Sequence, residues 1–244
     1  MRLGRIHAAA CILVLATSAA AGARADETIA VDAAVVLAAD VSRSIDDDEF
    51  ALERRGYAEA LVNQKFLDAV STGPHGAIAL AYVEWASDHE QKLVVDWAVI
   101  RNAADARAFS AGLVEAPRSF VGRTAIGSAL DFSFALFAEA KVSTQRRVID
   151  VSGDGTSNQG PPVTASRDAA VVGGAVINGL AIRNRRAEAL GGYLALHTNP
   201  PGGLAQYYRN NVIGGTGAFV APIEGFDGFG EALLHKLVSE IASK

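Results

Sequence analysis

The sequence predicts an α/β fold, a doubly wound and mostly parallel sheet flanked by helices on both sides. Three observations lead there. Apolar runs of strand length alternate along the chain with segments of helical period. The first run, residues 33–39, is made of Ala, Val and Leu alone, the composition of a strand covered on both faces. Polar loops follow the strand ends, where sheets of this kind carry their ligand sites.

The elements follow in order. After the strand at 33–39, residues 47–63 read as a helix carrying Phe50, Leu52, Tyr57, Leu61 and Val62 on its apolar side. A second strand at 76–83 and a third at 92–97 form a hairpin across Ser87, Asp88 and His89. Trp85 and Trp97 fall on these neighbouring strands and serve sheet packing. Residues 103–113 are helical. A loop at 117–122 leads to a helix over 124–140, a strand at 147–152 and a Gly/Asn/Pro-rich loop to residue 162. A helix at 163–172, a strand at 175–182, a short helix at 204–211, a last strand at 218–221 and an amphipathic helix at 228–243 complete the chain. This alternation implies one layered domain.

Residues 1–25 have the marks of a secretory signal: Arg2 and Arg5, an apolar stretch at 8–16, and Ala23-Arg-Ala25 as a cleavage pattern. The apolar stretch is shorter than the roughly 20 residues of a spanning helix. The expected mature chain, residues 26–244, is a single domain that is periplasmic or secreted. Cleavage removes Cys11, the only cysteine, so packing rather than a disulfide must hold the fold. It also removes Arg2, Arg5 and Arg24, leaving 19 of the 22 basic residues against 27 acidic ones, a formal charge of −8. No Lys/Arg cluster offers a face for a polyanion, so nucleic acid is not an expected partner, and no membrane span is expected in the mature chain.

Asp40, Ser42 and Ser44 stand where the first strand stops. Short oxygen-bearing side chains at alternate positions can curl toward one hard cation, and oxygen donors suit Mg²⁺, Mn²⁺ or Ca²⁺ better than zinc or copper. Two further polar loops lie at element ends. One holds Gly122, Arg123 and Thr124; the other holds Ser152, Gly153, Asp154 and Gly155. Two carboxylates and three hydroxyls leave a divalent ion near neutrality and short of six donors, so water or an incoming carboxylate completes its shell.

These residues resemble the von Willebrand factor A (VWA) domain and its metal-ion-dependent adhesion site, Asp-x-Ser-x-Ser followed by a distant Thr and a distant Asp. The resemblance runs from residue 32 to about 242. It implies Mg²⁺ or Mn²⁺, with Ca²⁺ as an alternative, held by Asp40, Ser42, Ser44, Thr124 and Asp154, and recognition of an Asp or Glu carboxylate on a partner protein. Gly153 departs from the pattern, since many family members carry Thr or Ser there. With its leader and the segment from His197 to Val220, the chain looks like a bacterial exported branch of the superfamily, known as a domain of unknown function.

Other features have competing readings. Asp46, Asp47, Asp48 and Glu49 read as an acidic first helical turn against the dipole, or as a second, calcium-type site. Arg43 and Arg123 are solvent-facing cations or anion-binding groups beside the ion, and Asn158 joins them as a rim for a partner. His75, His89, His197 and His235 lack the spacing of a zinc helix and are read as surface or packing residues. No nucleophile elbow, dinucleotide fingerprint or Walker loop occurs. The enzymatic alternative is a metal-dependent phosphoesterase or other hydrolase at the same site, for which neither Asp131 nor Asp150 is an evident general base. A purely structural reading leaves the polar residues as caps with no ion.

Overall fold

β2 (Ala33–Asp40) is buried along its whole length, as its apolar composition predicts, and it forms the middle of the sheet. The computed structural model describes residues 28–242; the expected signal peptide lies outside the described residues. The elements are β1 (Ile29–Ala30), β2, α1 (Asp47–Val62), α2 (Gln64–Ser71), β3 (Ile78–Trp85), β4 (Gln91–Ile100), α3 (Ala103–Glu115) and α4 (Ile126–Ala135). They continue with β5 (Val142–Ser143), β6 (Arg147–Gly153), α5 (Val163–Val172), β7 (Ala175–Ile182), α6 (Arg185–Leu190), α7 (Gly192–Thr198), α8 (Leu204–Asn211), β8 (Val220–Ile223) and α9 (Phe229–Ala242).

The main sheet has the order β4-β3-β2-β6-β7-β8. Only β4 runs antiparallel, through the expected hairpin with β3. Connections leave β2 toward β3 on one side, and later strands add from β6 outward on the other, so the order reverses between β2 and β6. β1 pairs with β5 as a two-stranded clip just before β2 and β6 begin. Alternation along β2 divides the core: Val35 and Leu37 meet Tyr57, Phe109 and Leu233 of α1, α3 and α9, while Val36 and Ala38 share the other cluster with Ile126, Ala170 and Tyr208 of α4, α5 and α8. Among the described residues no helix is long and apolar enough to cross a membrane.

Several element boundaries differ from those the sequence predicts, β3 among them, which begins and ends two residues later than expected. The helix expected over 124–140 is shorter, because the Thr124 and Ala125 amides are taken by Asn158 Oδ1 and the Ala86 carbonyl; α4 starts at Ile126, and a 3₁₀ turn, Leu136–Ala138, ends the segment. The last strand lies two residues later, since the Phe219 amide is used by the Asn178 side chain (3.0 Å). The sequence predicts neither the two-residue strands β1 and β5 nor the helices α2, α6 and α7. Each is eight residues or fewer, too short to show a clear period.

An ionic cluster sits inside the core beneath α9. Lys236 Nζ pairs with Asp150 Oδ1 and, at 2.7 Å, with Glu240 Oε1; all three residues are buried. Burial, then the Glu240 charge, pushes the Asp150 carboxyl up to about 7. The folded protein therefore holds a proton that the unfolded chain releases. Its stabilising effect is complete below the ordinary carboxylate range near 3.8 and is lost as pH rises toward about 7. Asp150→Asn cannot titrate, so its melting temperature relative to the unaltered chain should rise between pH 5 and pH 8. A constant difference across that range in thermal melts would refute this.

Candidate metal centre

The site is built where strand order reverses. Asp40 ends β2, and its Oδ1 accepts the Ser42 amide (2.8 Å), which curls the following turn inward. Ser42 Oγ lies 3.1 Å from Ser44 Oγ, and Ser44 Oγ donates to Asp154 Oδ1 at 2.6 Å. Asp154 directly follows β6. Thr124 Oγ1 reaches Ser42 Oγ at 3.3 Å, held there by Asn158, which accepts the Thr124 amide and donates its own amide to the Thr124 carbonyl. The structure thus brings Asp40, Ser42, Ser44, Thr124 and Asp154 into one buried cluster.

Electrostatically the cluster is unfinished. Burial, reinforced by the Asp154 charge, raises the Asp40 carboxyl well above its usual range. Burial likewise pushes Asp154 up to about 6, against hydrogen bonds from Ser44 and Asn184 that lower it. Asp40 Oδ2 is buried without a hydrogen-bond partner, a costly state for a polar atom. A divalent cation would offset both carboxylates, and the hydroxyl-rich set suits it. Among the described residues no three of His, Cys, Asp and Glu form a metal-holding group, so an ion here leans on the Ser and Thr oxygens.

The surrounding loop is fixed by Arg118, whose guanidinium donates to the Val41, Ser42 and Ile45 carbonyls at 2.9, 3.1 and 2.8 Å. The acidic run after the triplet is a helix start: Asp46 caps α1 in a reciprocal box with Glu49, both bonds at 2.9 Å. Asp46 and Asp47 also pair with Arg186 and Arg118. Arg43 and Arg123 are exposed on either side and, with Asn158, line a cavity of about 70 Å³.

Four contributors escaped the sequence reading. Arg118 is one. Asn184 donates to Asp154 Oδ2 (2.7 Å) and to the Ser44 carbonyl (3.0 Å). His197, read as a surface or packing residue, is buried beside the site, with Nε2 3.2 Å from Thr124 Oγ1; His75, His89 and His235 are exposed as expected. Burial lowers the His197 pKa. Tyr208 is fully buried and its hydroxyl has no partner. Its position explains Gly153: a Cβ there would come within 2.5 Å of the Tyr208 hydroxyl and 3.0 Å of Asp40 Oδ2. The tyrosine occupies the space a Ser or Thr side chain would need. Gly153→Ala should cost about 1–3 kcal/mol by overpacking, and adding Tyr208→Phe should recover part of it; denaturant melts of the single and double variants check this.

A family model described as "Protein of unknown function (DUF1194)" matches residues 30–244. Among solved structures, one of proximal thread matrix protein 1 from the mussel byssus, described as having a zinc-occupied MIDAS motif, is similar at 17% identity and TM-score 0.57, over 88% of this chain and 49% of that one. The pilus adhesin SpaC from Lactobacillus rhamnosus GG is similar at 15% identity and TM-score 0.61, over 88% and 31%. A von Willebrand factor type A structure from Catenulispora acidiphila gives 15% identity and TM-score 0.54, over 89% and 47%. The chain thus spans half or less of these proteins, and at such identities the likeness shows the fold. No curated protein matches the chain.

Proposed function

Because the chain belongs to the DUF1194 family, a branch with the VWA fold, we propose that it is an exported protein-interaction module whose binding depends on a divalent cation. Asp40, Ser42, Ser44, Thr124 and Asp154 hold Mg²⁺ or Mn²⁺, with Ca²⁺ as an alternative, and a partner's Asp or Glu carboxylate reaches the ion between Arg43, Arg123 and Asn158. The observation that carries this reading is the buried, unpartnered Asp40 Oδ2 in a cluster with a second buried carboxylate and three hydroxyls. The zinc-occupied motif of the mussel protein and the adhesin role of SpaC lend support by analogy.

Export follows from the leader at residues 1–25, cleaved to leave one domain from residue 26, in the periplasm or outside the cell. The hydrolase alternative needs a general base at the ion. Asp150 is locked to Lys236 beneath α9, and Asp131 is exposed on α4, so neither carboxylate supplies one. The test is affinity capture from the cell envelope with the purified chain. A specific partner should be released by EDTA and be absent when Asp40→Asn is the bait; retention in EDTA would count against the reading.

A further inference from the structure

We propose that His197 Nε2 is a further ligand of the ion, and that this nitrogen turns the centre toward borderline cations such as Zn²⁺ and Co²⁺ over Mg²⁺. The proposal rests on the metal reading above and goes past it, because the five oxygens alone favour a hard ion.

The spacing of donors supports it. Ser42 Oγ to Ser44 Oγ is 3.1 Å, Thr124 Oγ1 to Ser42 Oγ is 3.3 Å, and Thr124 Oγ1 to His197 Nε2 is 3.2 Å. Donors about 2.1 Å from an octahedral ion lie about 3.0 Å from their neighbours. The imidazole nitrogen therefore extends the hydroxyl series at the same step. The ring is also oriented as ligating histidines are, with its other nitrogen tied to an oxygen: Nδ1 lies 3.2 Å from Thr156 Oγ1, while the Thr156 amide donates to the His197 carbonyl (3.0 Å). Tyr193 stacks on the ring with centroids 5.8 Å apart and planes 7° from parallel.

The sequence makes room for this placement. A Cβ on Gly155 would come within 2.4 Å of His197 Nε2, so the residue beside Asp154 must be glycine for the imidazole to enter. The cavity of about 70 Å³ between Arg43 and Arg123 opens onto Ser44, Thr124 and His197, so water can reach this side of the donor set.

The experiment is calorimetric titration of the purified chain with Mg²⁺, Mn²⁺, Co²⁺ and Zn²⁺, unaltered and as His197→Phe, which keeps a ring for Tyr193. Zn²⁺ and Co²⁺ should bind the unaltered chain most tightly. Their affinities should fall at least about 10- to 100-fold in His197→Phe, while Mg²⁺ affinity changes by less than about threefold. Equal weakening of all four ions, or none, would overturn the proposal. A second reading needs no histidine variant: the stoichiometric Co²⁺ complex of the unaltered chain should give a hyperfine-shifted, exchangeable imidazole proton resonance that Asp40→Asn abolishes. Absence of that resonance from a Co²⁺ complex that Asp40→Asn destroys removes His197 and leaves the oxygen site standing. Failure of every ion to bind removes both.

Discussion

Asp40→Asn is expected to melt higher than the unaltered chain in EDTA and to lose the stabilisation that saturating Mn²⁺ or Mg²⁺ confers. The two effects have opposite signs and one cause. Without an ion, Asp40 is a buried carboxylate facing a second one, Asp154, and its raised pKa reflects that burden. An amide of the same shape relieves it. With an ion at 100 times its dissociation constant, the unaltered chain gains about 2.7 kcal/mol, or about 5–10 °C for a domain of this size. Thermal melts in EDTA and in metal decide the matter. An equal metal-induced rise in both proteins would dismiss Asp40 as a ligand, and no rise in the unaltered chain would dismiss the ion.

Glu84→Ala should be the most damaging single change in the core, lowering stability by about 3–5 kcal/mol and the melting temperature by about 6–20 °C. Glu84 and Arg54 are both buried, with Arg54 Nε donating to Glu84 Oε1 at 2.9 Å. Removing the carboxylate strands a guanidinium whose remaining partners include the carbonyls of Leu113 and Ala116. It also frees the Ser119 amide, which donates to Glu84 Oε2 at 2.9 Å, so the loop carrying Arg118 loosens beside the metal centre. Replacing both partners, as Arg54→Met with Glu84→Leu, should recover most of the loss, since an apolar pair leaves no buried charge. Denaturant unfolding of the three variants tests this, and a single variant within about 1 kcal/mol of the unaltered chain would contradict it.

The sheet was legible because its strands are largely apolar runs, and the five oxygens because three of them share one short loop and the other two adjoin recognisable element ends. What the sequence hid is held by residues distant along the chain. Asn184 and His197 belong to the segment of the short, glycine-bounded helices α6 and α7, where no periodicity announces a fold, while Tyr208 lies on α8, a helix the sequence shows without showing what it faces. Signals were nonetheless present. Asp150 within an otherwise apolar strand required a buried partner, and Lys236 and Glu240, four apart on one helix, were the pair able to meet it. Gly153 and Gly155 on both sides of Asp154 marked places where other side chains press against the backbone, Tyr208 at one and His197 at the other.

The clip between β1 and β5 fastens the chain at Ile29 and Ala30, at the edge where β2 and β6 begin, and Arg146 ties the final turn of α9 to that same edge through the Glu240 and Ile241 carbonyls. Both anchored ends thus lie across the strands from Asp40 and Asp154. A tether, affinity tag or sensor surface attached beside Ile29 or at the last turn of α9 will present the opposite pole outward, leaving the ion and whatever binds it unobstructed.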